Sequence, residues 1–236
     1  CPSGTVVSKN KGAGFLKDTE AMDRFFDETF NWLENKNSEG HNLSISVKTR
    51  IGMYEPDEFE NILEVYNRYP ISQLIVHPRT REQLYKGTPN IEAFKYALEN
   101  SKNPVCYNGD IFTLEDHNKL VEEFKEVDKI MLGRGVLANP ALMNEILNNE
   151  FMDKKVLKEF HDEIFSKYRE VFNEDRNAMF RMKELWGYMI YMFSNNKKYA
   201  KKIKKAQKVV DYNQAVTSLF LEQDILKGAG LFSSEE

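Results

Sequence analysis

Cysteine is scarce in this chain of 236 residues, where Cys1 and Cys106 are the only two. A pair of thiols cannot staple a disulfide scaffold, so a reducing compartment is the simpler reading and neither thiol is expected to be paired. Long apolar runs are missing too. No stretch approaches the roughly 18 uninterrupted apolar residues of a membrane helix, and the opening CPSGTVVSKN has no apolar signal region. A cytoplasmic protein without a membrane partner is therefore expected. His41, His117 and His161 show no metal-ligand spacing, so no metal is expected and these side chains are placed at the surface. The Gly-rich first turn that opens a dinucleotide-binding sheet is absent. Positive charge is in short supply overall, at a net −4, which excludes a uniformly basic nucleic-acid binder but not a local patch.

What is present is an ordinary globular composition, 41% hydrophobic and 12% aromatic, sufficient for a sizeable core and one or two domains. Four segments read as strands: Leu43 to Thr49, Gln73 to His77, Pro104 to Asn108 and Lys129 to Gly133. A helix signal follows each. Pro56, Asp57 and Glu58 open a helix whose apolar face is Phe59, Ile62, Leu63 and Tyr66. Asn90 caps one carrying Ile91, Phe94 and Leu98. Thr113 and Asp116 form a capping-box pattern ahead of Leu120, Val121 and Phe124, and Asn139 with Pro140 reads as a cap and first turn.

The strand ends at Lys48, His77, Asn108 and Gly133 lie 29, 31 and 25 positions apart, the length of one β/α unit. Strands that alternate with helices imply a parallel sheet, either open and doubly wound or closed into a barrel. Polar residues at the C-terminal end of every strand favour the barrel, which builds its active site from several strands. The fold class expected is therefore α/β, the C-terminal half of a (β/α)8 barrel followed by an all-helical domain. Half a barrel leaves strand edges open, so the other half is expected upstream of Cys1.

From about residue 152 the pattern turns helical, and the domain boundary is placed near Asn149 to Asp153, giving segments 1–150 and 151–236. Val156, Phe160, Ile164 and Tyr168 mark one helix. Met179, Met182, Trp186, Met189, Ile190 and Phe193 mark a second, and Tyr199, Ile203, Ala206 and Val210 a third. Lys197, Lys198, Lys201, Lys202, Lys204, Lys205 and Lys208 crowd that last stretch without an acid among them, and most should point outward.

The strand ends carry the candidate chemistry: Lys48 and Arg50, His77 with Arg79 and Arg81, Asn108 and Asp110, then Gly133 and Arg134. Gly109, Gly133 and Gly135 allow a backbone to approach a phosphate, and Arg134 adds a charge-assisted contact. Lys48 supplies positive charge to an electron-rich ring, and His77 a hydrogen bond. Such a set suits a phosphorylated, aromatic, redox-active cofactor. Any one of these residues taken alone is an ordinary surface charge or turn residue; the repetition at one end of four units is what singles them out. Tyr85 and Tyr107 read as packing or loop residues, and Cys106 as a small core side chain.

Cys1-Pro2-Ser3, Lys11-Gly12-Ala13-Gly14, VKTRIG, VHPRTREQLYKG, NGDI and LGRGVLANP, in this order, resemble the dihydrouridine synthase family from its catalytic cysteine to the end of its barrel. The likeness covers roughly residues 1–146, and the helical tail is similar, more loosely, to the family's tRNA-binding domain. It implies FMN contacts at Lys48, His77, Asn108, Gly109, Asp110, Gly133 and Arg134, with Cys1 as catalytic proton donor. It implies NADPH as the electron donor, tRNA as the partner, and reduction of a uracil C5=C6 bond as the reaction. Arg79, Arg81, Lys198, Lys201, Lys202 and Lys205 become candidates for RNA contact. One departure is Pro78, where the family often has Gly.

Three other readings compete. Cys1 as an N-terminal nucleophile would make an amidohydrolase, which the β/α repeat opposes. A non-catalytic RNA-binding module is opposed by the competent residues at every cofactor position. A flavin barrel acting on a free pyrimidine or another small molecule is opposed by the lysine-rich helix.

Overall fold

A computed structural model describes residues 1–230; residues 231–236, Glu235 and Glu236 among them, lie outside the described residues. The chain is a mixed α/β protein, rich in helix, that divides into two compact units. The first is Cys1–Gly109 with Phe124–Met131; the second is Asp110–Glu123 with the chain from Leu132 onward.

The first unit opens with α1 (Gly4–Val7), a 3-10 segment at Gly12–Lys17 and the long helix α2 (Thr19–Ser38). Asp18 caps α2 by accepting from the Ala21 N–H at 2.9 Å, and Met22, Phe26 and Leu33 form its buried stripe. Then β1 (Ser46–Arg50), α3 (Glu58–Tyr66), β2 (Gln73–His77), α4 (Ile91–Asn100) and β3 (Val105–Tyr107) alternate as expected. The strands form a parallel sheet in the order β1-β2-β3, with Lys48 opposite Ile75, Arg50 opposite His77 and Val76 opposite Tyr107. Leu74, Val76, Ile62 and Phe94 have no exposed surface. Each such side chain contributes roughly 1.5–3 kcal/mol by leaving water.

Two strand boundaries differ from expectation. The first strand starts at Ser46 instead of Leu43, because the Asn37 side chain holds both the N–H and the carbonyl of Leu43 and keeps it out of the ladder. The fourth strand is reduced to a single parallel bridge between Tyr107 and Ile130. Two backbone bonds tie it down, Tyr107 N–H to Lys129 O at 3.1 Å and Met131 N–H to Tyr107 O at 2.7 Å. With β3 three residues long, its neighbour has little ladder to join.

The second unit holds α5 (Leu114–Glu123), α6 (Arg134–Ala138), α7 (Leu142–Asn148), α8 (Lys154–Phe172), α9 (Asp175–Met189), α10 (Lys197–Lys205) and α11 (Val209–Glu222). The Thr113–Asp116 capping box forms in both directions, at 2.9 and 3.1 Å. Asn139 is not the cap expected of it. It ends α6, donates to Glu145 at 2.8 Å and accepts from the Ala141 N–H, while α7 begins beyond Pro140.

A core of Leu157, Phe165, Met179, Met182, Trp186, Tyr212 and Leu219, with their neighbours, joins α8, α9, α10 and α11. On α8 Leu157, His161 and Phe165 are buried; of the expected stripe Phe160, Ile164 and Tyr168 pack, partly buried, against the same core, and Val156 is exposed. The Lys-rich helix stops at Lys205; Val210 is exposed and belongs to α11, which the apolar pattern had merged with its neighbour.

Candidate active site

In a parallel strand alternate side chains share a face, so Lys48 and Arg50 leave β1 on the same side, near the end where His77 closes β2. A cavity of about 420 Å³ opens there, a volume within the common range of small-molecule sites. Cys1, Lys48, Arg50, His77 and Tyr85 border it on the polar side, and Phe15, Met22, Phe26 and Val47 supply apolar wall. Cys1 is exposed and unpaired by disulfide. Thus the expected catalytic residue, Cys1, and two residues expected at the cofactor, Lys48 and His77, meet at one cavity.

The electrostatics of that cavity are cationic. Lys48 is exposed as a residue, yet its ammonium is held below the ordinary lysine value, first by loss of water on its packed side and then by the like charge of Arg50. On β3, burial pushes the Cys106 thiol up, consistent with a core side chain. Tyr66, fully enclosed, donates to Thr49 at 3.0 Å, and burial pushes its phenol up to about 12. It stays neutral and serves as wall.

The loop after β2 is fixed by two arginines. Arg50 donates to Thr80 O at 2.7 Å and to Leu84 O at 2.8 Å. Arg79 has no exposed surface and donates to the carbonyls of Lys86 and Gly87. Its expected place on an RNA-facing surface is therefore corrected, because a guanidinium closed inside its own loop cannot reach a phosphate. Arg81 is partly buried, with Nη1 at 3.3 Å from Glu82.

Asn108 and Gly109 follow β3 within the same unit. The Asn108 amide donates to Met131 O at 2.7 Å, tying β3 to the bridge segment. A Cβ on Gly109 would run into the Tyr107 ring, and one on Gly135 into the Ile111 carbonyl. Packing alone thus demands these two glycines. At Gly133 a Cβ would meet nothing within 4 Å, which leaves its backbone open to approach. Arg134, in the second unit, pairs with Asp110 at 2.6 Å and lies over the Phe112 ring at 5.3 Å.

All seven lysines of the 197–208 stretch are exposed, while Tyr199 and Ile203 hold α10 to the helical core. Lys198 has Glu222 at 3.8 Å; none of the other six is in a salt bridge among the described residues. His161, expected at the surface, is buried at 3% exposure. Asp162 can only accept, so the His161 Nδ1–H donates to it at 2.9 Å. Burial pulls the imidazole below its ordinary value, so Nε2 is left to accept the Tyr212 O–H at 2.7 Å. The Trp186 indole N–H completes the chain by donating to Tyr212 Oη at 2.9 Å.

Sequence reasoning missed Tyr85 and the α2 side chains at the cavity. Asp18 ahead of Met22, Phe26, Phe30 and Leu33 is the cap-plus-stripe signal that would have found α2. Among the described residues no group of three or more His, Cys, Asp or Glu side chains could hold a metal ion, and no helix is long and apolar enough to cross a membrane.

The chain is similar to the "Probable tRNA-dihydrouridine synthase" of Staphylococcus aureus (strain Mu50), 29% identical over 178 residues that cover 71% of this chain and 50% of that protein. The protein of the same name from Staphylococcus epidermidis (strain RP62A) is 30% identical over 175 residues, with coverages of 71% and 50%. That of Aquifex aeolicus (strain VF5) is 31% identical over 140 residues, with coverages of 59% and 42%. The chain spans about half the length of the curated relatives it matches. The family model for dihydrouridine synthase matches residues 1–227, and the chain therefore belongs to the dihydrouridine synthase family.

Proposed function

We propose that this chain is the proton-donor half of a tRNA-dihydrouridine synthase, which adds a hydride and a proton across the C5=C6 bond of a uridine in tRNA. The observation that carries the reading is the meeting of Cys1, Lys48 and His77 at one cavity. The printed names of the relatives support it. In this reading residues 1–150 are the second half of a flavin-binding (β/α)8 barrel and residues 151–236 a helical tRNA-binding domain in a cytoplasmic enzyme.

The residues that line the cavity support flavin binding. Lys48 and Arg50 bring positive charge to the cavity, which would suit an electron-rich ring, and Phe15, Met22 and Phe26 offer apolar wall. FMN, when bound and reduced by NADPH, would supply the hydride for C6. Lys48 would stabilise negative charge on a bound ring, and His77 would donate a hydrogen bond to it. Asn108, Gly109, Asp110, Gly133 and Arg134 are assigned to the same cofactor by the family resemblance. Cys1 delivers the proton that C5 requires. A thiol is well matched to that transfer, since with a reference pKa of about 8.5 it keeps its proton at neutral pH and can still lose it in the transition state. Lys198, Lys201, Lys202 and Lys205 neutralise tRNA phosphates, with Arg81 as a further candidate.

The test is Cys1→Ala in the full-length protein, scored by dihydrouridine formed in tRNA and by flavin absorbance. Loss of a general acid lowers the rate by roughly 10²- to 10⁴-fold, while flavin content stays unchanged. An undiminished rate removes Cys1 from the reaction.

A further inference from the structure

Glu58 opens α3, yet its carboxylate turns back to the loop between β1 and α3. There it accepts three successive backbone N–H groups, from Met53 at 2.8 Å, Tyr54 at 2.9 Å and Glu55 at 2.8 Å. Hydrogen bonds to an ionised acceptor are roughly twice as strong as neutral ones. Tyr54 and Glu55 are exposed, so water alone could satisfy their N–H groups. Three bonds to one carboxylate go further and fix the loop. The fit is close as well, since a Cβ on Gly52 would stand 2.6 Å from the Glu55 carbonyl.

The loop so held carries the loop after β2 in turn. The Arg81 N–H donates to Gly52 O at 2.9 Å, and the Glu82 N–H to Met53 O at 3.1 Å. Met53 thus joins the two, with its N–H on Glu58 and its carbonyl on Glu82. Arg81 is the side chain that this frame presents. Its Nε is enclosed without a hydrogen-bond partner among the described residues, and its Nη1 has Glu82 at 3.3 Å. Its Nη2 lies 4.0 Å from where a Cβ on Gly4 would stand, three positions from Cys1. A guanidinium so weakly matched beside the cysteine segment keeps donors for an anion.

We propose that Glu58 is a positioning residue for RNA, which holds the loop after β1 and, through that loop, the backbone of Arg81. The proposal rests on the function proposed above, in which Arg81 meets tRNA. A loop already ordered loses little entropy when RNA binds. One released from its clamp has to be ordered at that moment, at a cost in affinity.

The experiment measures KM for tRNA, KM for NADPH, flavin content and melting temperature in the full-length protein carrying Glu58→Ala, Glu58→Gln, Arg81→Ala, or Glu58→Ala with Arg81→Ala. Glu58→Ala raises KM for tRNA roughly 10- to 100-fold, the scale of one charge-assisted hydrogen bond, while flavin content and KM for NADPH stay as in the wild type. Glu58→Gln keeps one acceptor oxygen and has a smaller effect. Arg81→Ala also raises KM for tRNA, and adding Glu58→Ala to it changes KM by no more than about 2-fold, because the loop then has no guanidinium to place. A purely structural glutamate would lower the melting temperature and leave KM for tRNA unchanged, which overturns the proposal. So does a full Glu58→Ala effect in the Arg81→Ala background, or an Arg81→Ala variant with wild-type KM. If Glu58→Ala fails to fold, Glu58→Gln carries the same comparisons. If the wild-type protein forms no dihydrouridine, the parent reading falls and this inference with it; if it does and the Glu58 variants keep their KM, this inference alone falls.

Discussion

Arg79 and His161 are two buried polar side chains whose roles follow from what they touch. Arg79 is enclosed by the loop whose carbonyls it binds, and those charge-assisted bonds offset the desolvation of its guanidinium. Arg79→Met leaves the Lys86 and Gly87 carbonyls without that donor and is expected to destabilise the first unit by about 1.5–3 kcal/mol, read as a lower melting temperature. His161 links stability to pH. Its folded pKa lies below the ordinary 6.5, so below that pH the unfolded chain binds a proton that the folded chain refuses. Stability is complete above about pH 6.5 and falls as pH drops towards the folded pKa. Thermal midpoints at pH 7.5 and 5.5 check this: the wild-type chain should lose more than His161→Gln, and equal losses would contradict the assignment.

Among the elements, α10 divides its labour by face. Tyr199 and Ile203 anchor it, and the lysines cover the rest. Replacing Lys198, Lys201, Lys202 and Lys205 with Ala leaves the anchor intact and is expected to flatten the dependence of log K on log salt for tRNA binding by roughly 2–4 units. Filter binding at several salt concentrations measures the slope, and an unaltered one would take tRNA off this face. Gly109 is constrained by the Tyr107 ring. Gly109→Ala overpacks that contact and should cost about 1–3 kcal/mol. The β/α alternation, the Asn90 cap and the Thr113–Asp116 box were legible in the sequence because each depends on neighbours within a few positions. On α8 the expected Phe160, Ile164 and Tyr168 border the core, but Val156 and Leu157 are equally apolar on paper, and packing in the core chose Leu157.

At the scale of the whole molecule, the helical core from Leu157 to Phe220 is composed entirely of residues beyond the expected domain boundary. The compact unit that holds this core also takes in α5, α6 and α7, so residues 151–236 expressed alone test the expected boundary, which helical circular dichroism with a cooperative melt would support. A broad, non-cooperative melt would argue that the boundary is misplaced.

By itself the sequence determined the parallel β/α order, the strand ends that carry Lys48 and His77, and the exposed lysine stretch, since strand period, capping and charge are local properties of the chain. Only the tertiary structure decided which polar side chains are open to a ligand. Arg79 and His161 read as surface residues from composition, but their donors and acceptors are satisfied by groups distant along the chain or folded back around them, and burial followed. Tyr85 read as a packing or loop residue; it lies in the loop after β2, and the two buried arginines that bracket it hold it at the cavity. Burial is a property of three-dimensional neighbours, and no spacing of residue types encodes it directly.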